Sequence, residues 1–390
     1  MALQNKVPNH SKTLRILHVI SHYELGGAEK CTFELARLFD GRVEMGVAAV
    51  LGDDSSAVGQ SMTREAKRKG IAVFNGVKLP WKLGGFLAAA WRLRRIVREF
   101  RPDIVHLNTE IPEFAYVLCL SIDKSLKSIP VVRTIHNTVL WSRWERLGAW
   151  CESRLGDTPV VYVSNAVRES FQRWRSACGL KPVTSDSTIY NPITVPLTRE
   201  RLFNLRVQKK DIRLLFAGRF EFQKGCDLLP AILRQIKVPP DTQFSLFIYG
   251  EGIEEGLLSK LRDTPPPGWL VQLAPPLPNL VELLSDFDIL LFPSRFEGYG
   301  RLAAEAVLTG IPVAAFRLPV LSEIFSPDYP WLAPFNDNDV SGFADNVSAL
   351  LASLEDAQTI VDKARSLLSV KLDSEKTVLA YLKFYESLIK

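Results

Sequence analysis

The sequence predicts an α/β protein built from two doubly wound parallel sheets. Short apolar runs alternate with amphipathic stretches in both halves of the chain, a pattern typical of strands separated by helices. A length of 390 residues is enough for two or three domains. A polar segment at 181–211, which contains Pro192 and Pro196, separates the two series of elements. We therefore predict an N-terminal domain over 1–195 and a C-terminal domain over 196–375.

The individual elements follow from local composition. Runs rich in Val, Ile and Leu predict strands, and the longer amphipathic stretches between them predict helices. In the first half, strands are expected at 14–20, 43–50, 71–74, 103–107, 131–135 and 160–163, and helices at 28–39, 86–100, 113–120, 142–154 and 166–175. In the second half, strands are expected at 213–217, 243–249, 270–273, 288–292 and 313–316.

The composition is that of a globular protein without a membrane-spanning helix. Hydrophobic residues make up 47% of the chain and charged residues 23%. No apolar run reaches the roughly 18 residues that a span needs, and the first residues lack the apolar core of a signal peptide. The five cysteines have no paired spacing and are expected to be reduced. These observations predict a cytoplasmic protein.

The two halves differ in charge. Residues 1–195 contain 27 lysines and arginines against 18 aspartates and glutamates, whereas the remainder contains 21 against 25. A basic half predicts a negatively charged partner. Nucleic acid is not expected, because no recognised nucleic-acid-binding motif is present.

The segment that follows the predicted strand 288–292 combines two glycines with two glutamates. Gly298 and Gly300 permit a sharp turn into a helix. The unpaired N–H groups at such a helix start bind phosphate. One carboxylate can accept hydrogen bonds from two neighbouring hydroxyls, so Glu297 and Glu305 suit the diols of ribose and a hexose. The combination suggests a nucleotide sugar, and the alternative is an ordinary strand–helix unit with two surface glutamates.

A second loop, after the predicted strand 213–217, carries two cations. Arg219 and Lys224 lie five positions apart, and Gly225 opens the next helix. Arginine binds paired phosphate oxygens through its fork, and lysine adds a mobile point charge. Two cations beyond the carboxyl end of one strand fit a diphosphate better than a solvated face.

These two loops resemble motifs of the retaining family 4 glycosyltransferases. GRFEFQKGCDLL (218–229) resembles the phosphate-binding motif of that family, and EGYGRLAAE (297–305) resembles its paired-glutamate motif. Five further segments resemble family motifs in the expected order: SHYELGGAEK (21–30), RTIHN (133–137), YVSNAV (162–167), IYNPI (189–193) and IYGEG (248–252). The resemblance implies the GT-B fold, in which two Rossmann-like doubly wound domains face a deep interdomain cleft. It also implies that the last helix, here 376–390, crosses back to the first domain.

The resemblance implies a role for each site residue. Catalytic contacts are expected from Arg219, Lys224, Glu297 and His136. Arg219 and Lys224 would stabilise the departing diphosphate, Glu297 would hold hydroxyls of the transferred sugar, and Glu305 would hold the ribose. The remaining donor contacts are expected from Gly26, Gly27 and Gly250, and from the backbone N–H groups of Tyr299, Gly300, Arg301 and Leu302, which would assist the phosphates.

Other polar residues near strand ends are interpreted as structural. His22 and His106 also lie near predicted strand ends, and a histidine in such a position more often has a structural role. Asp286 and Asp288 spell the carboxylate pair of metal-dependent glycosyltransferases of another fold, but here they precede a buried strand. No metal or cofactor is predicted, and a uridine- or guanosine-linked nucleotide sugar is the expected donor substrate.

Two clusters of tryptophan and arginine occur in the basic half. The first lies in the helix 86–100 with Trp81 before it, and the second consists of Trp141, Arg143, Trp144, Arg146 and Trp150. Each cluster fits either an amphipathic surface or contact with an anionic membrane. With the family resemblance, an anionic membrane surface or a lipid-linked acceptor is the favoured partner, and the protein could then sit at the inner face of the membrane.

The function predicted is a metal-independent, retaining transfer of a hexose-type sugar to a glycan or lipid-linked acceptor, in polysaccharide or glycolipid biosynthesis. A nucleotide-sugar epimerase of the same fold and a non-catalytic scaffold derived from a glycosyltransferase are the alternatives. A dehydrogenase is disfavoured, because neither half has GxGxxG after its first strand. The loop 317–323 lacks the glycine pair that many relatives have there, which leaves the donor sugar open.

Overall fold

The computed structural model describes residues 13–24, 26–52, 55, 57–79, 84–142, 144–195, 211–237, 243–326, 328–336 and 339–389. Two separate parallel sheets dominate these residues. The predicted fold class of two doubly wound α/β domains is therefore confirmed. The predicted domain boundary at 195/196 adjoins residues 196–210, which lie outside the described part of the chain, as does Trp81 of the first tryptophan cluster.

The first sheet has seven parallel strands in the order β3-β2-β1-β4-β5-β6-β7. Its strands are β1 (Arg15–Ile20), β2 (Glu44–Ala49), β3 (Ala72–Phe74), β4 (Ile104–Asn108), β5 (Val131–Ile135), β6 (Val160–Tyr162) and β7 (Asp186–Thr188). The helices between them are α1 (Gly27–Phe39), α2 (Ala57–Arg68), α3 (Gly85–Phe100), α4 (Glu110–Ile122), α5 (Glu145–Leu155) and α6 (Asn165–Ala177). All five residues of β4 are buried, as expected for a parallel strand with helices on both faces.

The second sheet has six parallel strands in the order β10-β9-β8-β11-β12-β13. Its strands are β8 (Asp211–Ala217), β9 (Gln243–Tyr249), β10 (Trp269–Ala274), β11 (Ile289–Phe292), β12 (Val313–Phe316) and β13 (Leu332–Ala333). The helices are α7 (Leu229–Gln235), α8 (Glu255–Asp263), α9 (Leu280–Leu283), α10 (Arg301–Leu308), α11 (Pro319–Phe325), α12 (Ser341–Ala352), α13 (Leu354–Lys371) and α14 (Ser374–Ser387).

The last helix packs on the first domain. Val378, Tyr381 and Tyr385 of α14 are buried in the same apolar cluster as Leu35 and Phe39 of α1. Asp373 caps the helix, since its carboxylate accepts hydrogen bonds from the N–H groups at positions 375 and 376. Among the described residues, no helix combines the length and apolar character required to cross a bilayer.

Helix α5 begins later than predicted. It starts at Glu145 instead of 142, because Trp144, the residue before it, has a non-helical backbone with φ of −142°. The indole of Trp141 lies against Gly148, where a Cβ would overlap it. The sequence pattern also missed β7 and β13, which have three and two residues and are too short for a periodic signal.

Candidate functional site

The two domains meet where the carboxyl end of the first sheet faces the glutamate loop of the second. A Cβ on Gly298 would overlap the carbonyl oxygen of His136, so glycine is required for this close approach. Two hydrogen bonds hold the same contact: the hydroxyl of Ser164 donates to the Gly298 carbonyl at 2.7 Å, and that of Thr138 donates to the Glu297 carbonyl at 3.3 Å. We call this contact of His136, Thr138 and Ser164 with Glu297 and Gly298 the seam.

Helix α10 begins directly at the seam. Gly300 precedes it in the left-handed conformation, with φ of 72°. The first N–H groups of the helix, including those of Arg301 and Leu302, have no acceptor within the helix and are available to an anion. The side chain of Tyr299 points elsewhere: it is buried, and its hydroxyl donates to the carbonyl of Asn191 at 3.3 Å. Tyr299 therefore adds a structural contact to the backbone role predicted for it.

Glu305 is buried and already has a cationic partner. Its Oε1 accepts a hydrogen bond from Nε of Arg301 at 2.7 Å. The same guanidinium donates to Glu34 of α1 at 2.5 Å and to the carbonyl of Pro192 at 3.2 Å. Burial disfavours its charge, but pairing with Glu305 and Glu34 outweighs burial and raises the pKa of Arg301. Arg301 thus joins the two domains beside the carboxylate that we predicted to hold ribose.

Lys224 and Glu297 form an ion pair. Nζ of Lys224 lies 2.6 Å from Oε1 of Glu297, and both side chains are largely removed from solvent. Arg219 remains 60% exposed and makes looser contacts, 3.2 Å to a carboxylate oxygen of Glu221 and 3.3 Å to the amide oxygen of Gln223. The two cations predicted to bind phosphate therefore differ in their surroundings. Lys224 is held by its ion pair with Glu297, whereas Arg219 is exposed.

The glycine loop of the second domain supports this arrangement. Gly250 packs on the loop that carries Arg219, where a Cβ would overlap the carbonyl oxygen of Gly218. Its N–H donates to the carbonyl of Ala274 at 3.1 Å, which ties the ends of β9 and β10 together. Gly250 thus lies next to the loop that carries Arg219 and Lys224.

The start of α1 faces the second domain and contributes residues that the sequence motifs did not single out. Gly26 and Gly27 lie at its first turn, and Glu29 and Lys30 follow them. Burial raises the pKa of Glu29 to about 7, and the nearby charge of Arg219 opposes part of this rise. Burial lowers the pKa of Lys30, which interacts with Glu305. Glu29 and Lys30 both lie in the segment SHYELGGAEK (21–30), in which only the glycine pair was assigned a role.

His136 lies at the end of β5, on the first domain's side of the seam. Its Nε2 is 3.3 Å from Oδ1 of Asn108, at the end of the neighbouring strand β4. Burial lowers the pKa of His136 to about 4, so the ring is neutral near pH 7. His106, by contrast, is completely buried in the first domain, in keeping with a structural role.

Asp288 has a structural role. Its carboxylate accepts a hydrogen bond from the N–H of Arg213 at 2.9 Å, and its own N–H donates to the Arg213 carbonyl at 2.8 Å. The residue thereby sets the register between β11 and β8. Within the described ranges, no group of three or more His, Cys, Asp or Glu side chains is arranged to hold a metal ion.

Comparison with known proteins identifies the class to which this architecture belongs. The model of Glycosyltransferase Family 4 matches residues 25–185, and the model of Glycosyl transferases group 1 matches residues 198–367. Two parallel-sheet domains that meet in this way have the architecture of the GT-B fold. The chain belongs to the family 4 type of these glycosyltransferases.

Individual relatives are distant. A glycogen synthase of Mycobacterium tuberculosis is 26% identical over 80% of this chain and 76% of its own length. An uncharacterised 41.2 kDa protein of the cps region of Klebsiella pneumoniae is 29% identical over 45% of this chain, and the match spans only 43% of that protein. Anabaena HepE, crystallised with UDP and glucose, superposes with a TM-score of 0.76 over 96% of this chain and 100% of its own, at 18% identity. This last similarity shows a shared fold.

The raised pKa of Glu29 predicts a pH dependence of stability. The pKa of Glu29 is about 4.5 in the unfolded state and about 7 in the folded state. Between these values the native state binds a proton that the unfolded state has lost. The free energy of unfolding therefore falls as pH rises through this range. Glu29→Gln removes this component. We expect its free energy of unfolding, relative to wild type, to rise by about 1 kcal/mol between about pH 5 and about pH 8, a value discounted for partial exposure.

Denaturant titrations at several pH values measure this effect. Glu113 is also buried with a pKa raised to about 7, so only the difference between variant and wild type is informative. Glu65→Gln, at an exposed position on α2, serves as the matched control. A constant difference between Glu29→Gln and wild type across the range would show that Glu29 is charged in the native state throughout.

Proposed function

We propose that the chain transfers a hexose-type sugar, with retention of configuration, from a nucleoside diphosphate donor to a glycan or lipid-linked acceptor. The observation that carries this proposal is the meeting of two cations and two buried carboxylates around the start of α10. Lys224 contacts Glu297 directly, and Arg301 contacts Glu305. A nucleotide sugar offers the matching chemistry, a diphosphate flanked by two diols. Anabaena HepE, which shares the fold, was crystallised with UDP and glucose.

The phosphates of the donor would bind at the start of α10. The unpaired N–H groups of its first turn and the dipole of the helix favour negative charge there. Arg219 is exposed at the open edge and can swing onto the outer phosphate, whereas Lys224 has to exchange part of its contact with Glu297 for a phosphate oxygen. Fixed cations aimed at a departing diphosphate are often the largest single contribution to catalysis.

The two carboxylates would hold the two sugars of the donor. Oε1 of Glu297 contacts Lys224, which leaves the second oxygen of this carboxylate for hydroxyls of the transferred hexose. Oε1 of Glu305 contacts Arg301, and its second oxygen can accept from a ribose hydroxyl. In both pairs the cation fixes the direction in which the carboxylate presents its other oxygen.

Retention follows in this proposal from chemistry on one face of the sugar. The bond from the anomeric carbon to the departing phosphate oxygen breaks, and the bond to the acceptor oxygen forms on the same face. The proton of the acceptor hydroxyl passes to the departing phosphate, so no general base is assigned. Metal independence is proposed because Arg219 and Lys224 supply the positive charge that a divalent cation would otherwise provide.

Replacing either phosphate cation should lower turnover without unfolding the protein. We expect Arg219→Ala and Lys224→Ala to reduce kcat by roughly 10²-fold, because each removes charge stabilisation from the leaving group. Sugar transfer is measured with EDTA present, and thermal melting is recorded alongside.

Arg234→Ala, at an exposed position on α7, is the control for loss of a surface arginine. Losses of melting temperature in proportion to losses of activity would assign both cations a structural role. Activity that vanishes in EDTA and returns with Mg²⁺ or Mn²⁺ would contradict metal independence.

Glu305→Gln should weaken nucleotide binding specifically. The amide oxygen can still accept from Arg301, but the second carboxylate oxygen is replaced by an NH₂ donor. A lost hydrogen bond to a charged group is worth about 1.5–3 kcal/mol, so affinity should fall by roughly tenfold or more. Calorimetric titration with UDP and GDP measures the loss, with Glu255→Gln on the exposed face of α8 as control. Unchanged affinity would remove the ribose assignment.

The acceptor side is proposed to lie against an anionic membrane at the inner, cytoplasmic face. Leu87 and Trp91 of α3 are 50% and 54% exposed, and they lie one helical turn apart on the same face. Arg95 and Arg98 continue this exposed stripe. The arginines of α3 contribute less net positive charge than their number suggests. Arg98 lies 2.6 Å from Asp123, and the same carboxylate also pairs with Arg94.

A second apolar surface adjoins the stripe. Trp144 and Trp150 are 58% and 37% exposed at the start and middle of α5. Ring contacts connect Trp150 to Phe114 of α4 and Phe114 to Phe86 of α3, each with centroids 6.2 Å apart. Exposed tryptophan beside arginine is typical of side chains that enter a membrane interface.

The protein should therefore sediment with vesicles that contain anionic lipid at low salt and release at high salt. Each basic residue near such a surface contributes about 1 kcal/mol. The double variant Trp91→Gln/Arg95→Gln should lose at least about tenfold in binding, with unchanged nucleotide affinity. Ile253→Ser, which removes a 79% exposed side chain from the other domain, should bind like wild type. Equal binding to neutral and anionic vesicles, or none to either, would favour a soluble acceptor.

The two alternatives give different outcomes in the same transfer assay. An epimerase would convert the nucleotide sugar to its isomer without any acceptor. A scaffold would bind the nucleotide and leave it intact. Analysis of donor and products with and without acceptor glycans therefore separates the three functions.

A further inference from the structure

We propose that a buried chain of hydrogen bonds, which runs from the last helix to the candidate site, fixes the tautomer of His136. The chain consists of Tyr385, His18 and Asn108, which act as positioning residues. It holds the imidazole so that Nδ1 is the nitrogen able to accept a hydrogen bond from a substrate hydroxyl. The part of this inference that concerns substrate rests on the proposed function, whereas the tautomer does not.

The orientation of Asn108 determines the first link. This side chain lies at the end of β4 and is only 3% exposed. Its Nδ2 is 3.3 Å from the carbonyl oxygen of Val19 and 3.4 Å from that of His106. Because a carbonyl oxygen can only accept, the amide must place its nitrogen on this side and its oxygen on the other. Oδ1 of Asn108 therefore faces Nε2 of His136, at 3.3 Å.

The tautomer of His136 follows directly. An amide oxygen can only accept, so Nε2 has to carry the hydrogen. In a neutral imidazole the other nitrogen, Nδ1, then has a lone pair and accepts hydrogen bonds. This nitrogen belongs to a ring at the seam, where the backbone of His136 meets Gly298 and hence the loop that carries Glu297. Sugar hydroxyls are donors of the kind that such a nitrogen can receive.

The other hydrogen bonds of this series all donate in one direction, from Asn108 toward Thr134. Nδ1 of His18 lies 3.4 Å from the donating amide of Asn108, so Nε2 of His18 carries the hydrogen and donates to the Tyr385 hydroxyl at 3.2 Å. That hydroxyl then donates to Nδ1 of His106 at 2.7 Å, and Nε2 of His106 donates to the Thr134 hydroxyl at 2.6 Å. The two hydrogens of the Asn108 amide are shared among three acceptors, and each other donor of the series meets one acceptor. A charged ring at His18 would place its Nδ1–H against the Asn108 amide, and a charged ring at His106 would leave the hydroxyl hydrogen of Tyr385 without an acceptor.

Burial keeps both inner histidines neutral, as this pattern requires. It lowers the pKa of His18 to about 3 and that of His106 well below its ordinary value. The two rings pack against each other at a tilt of 34°, with their centroids 4.4 Å apart. Tyr385 is completely buried and supplies the hydroxyl that both rings share. Tyr385 thus holds His18, whose Nδ1 supports the orientation of Asn108 that the carbonyls of Val19 and His106 set.

The tautomer can be measured directly. The chain contains five histidines, so the full-length protein labelled with ¹⁵N-histidine gives a spectrum that His136→Gln can assign. We expect the ring nitrogens of His136 to show the shifts of an Nε2–H tautomer near pH 7. In Asn108→Ala, which removes the accepting oxygen, they should shift toward a mixture of tautomers. A wild-type ring protonated at Nδ1, or at both nitrogens, would overturn the inference.

Kinetics distinguish positioning from a purely structural role. Asn108→Ala should lower kcat by about tenfold and Tyr385→Phe by a smaller factor, with the KM for the nucleotide sugar unchanged within about twofold. Tyr385→Phe removes only a hydroxyl, so it keeps the test available if Asn108→Ala does not fold. Tyr116→Phe is the matched control: that hydroxyl is also completely buried, and within the described chain it has no hydrogen-bond partner.

Two further results would contradict the proposed hydrogen bond between His136 and a substrate hydroxyl. One is equal kinetic effects of Tyr385→Phe and Tyr116→Phe. The other is a His136 tautomer that shifts in Asn108→Ala while kcat stays at the wild-type value. If the wild-type protein transferred no sugar although its His136 had the expected tautomer, the proposed function would fail and the tautomer assignment would stand.

Discussion

The arrangement of the site depends on one steric constraint, the contact between Gly298 and the carbonyl oxygen of His136. No side chain separates the two backbones there, so the carboxyl end of β5 and the start of α10 are brought into register. Any larger residue at 298 would push the domains apart and lengthen every distance across the seam. The hydroxyls of Ser164 and Thr138, both from the first domain, close the same contact with hydrogen bonds to the glutamate loop.

The charged side chains around this seam are paired with one another. Lys224 lies against Glu297 within the second domain, whereas Arg301 also reaches Glu34 of the first. Removing such groups from water costs free energy, and each partner offsets part of that cost for the other. The pairing also fixes side chains that would otherwise be mobile. Under the proposed function, a diphosphate would meet cations held in place by their partners, which is the condition for electrostatic stabilisation of a leaving group.

The sequence predicted the parts of this site that are local in the chain. The strand, the glycine turn and the helix start around Glu297 are specified within about twenty residues, and so is the loop that carries Arg219 and Lys224. The partners of those residues were not predictable in the same way. Glu34 lies 267 positions before Arg301, and nothing in either segment encodes their contact.

The smaller differences between the sequence predictions and the structure have similar causes. The predicted backbone contact of Tyr299 ignored its side chain, whose burial depends on packing against the other domain. Short edge strands such as β7 give no periodic pattern, because three residues cannot show alternation. Charge counting likewise overstated the free basic surface of α3, since Asp123 lies outside that helix and pairs with two of its arginines. Sequence reasoning succeeded where the information is local and failed where folding brings distant residues together.

The last helix places a further limit on how the two domains can move. The chain passes from the second domain to the first between α13 and α14, at Leu372 and Asp373, where the Asp373 cap makes the break between the helices sharp. Beyond it, α14 is fixed to the first domain by the buried ring of Tyr385 and, at its start, by an ion pair of 2.8 Å between Glu375 and Arg42. Because α14 cannot slide without breaking the hydrogen bonds of Tyr385, it belongs with the first domain, and this two-residue break is the described crossing between the domains. The groups that orient Asn108 all lie in the first domain, so the tautomer inferred for His136 does not depend on the contact between His136 and Gly298.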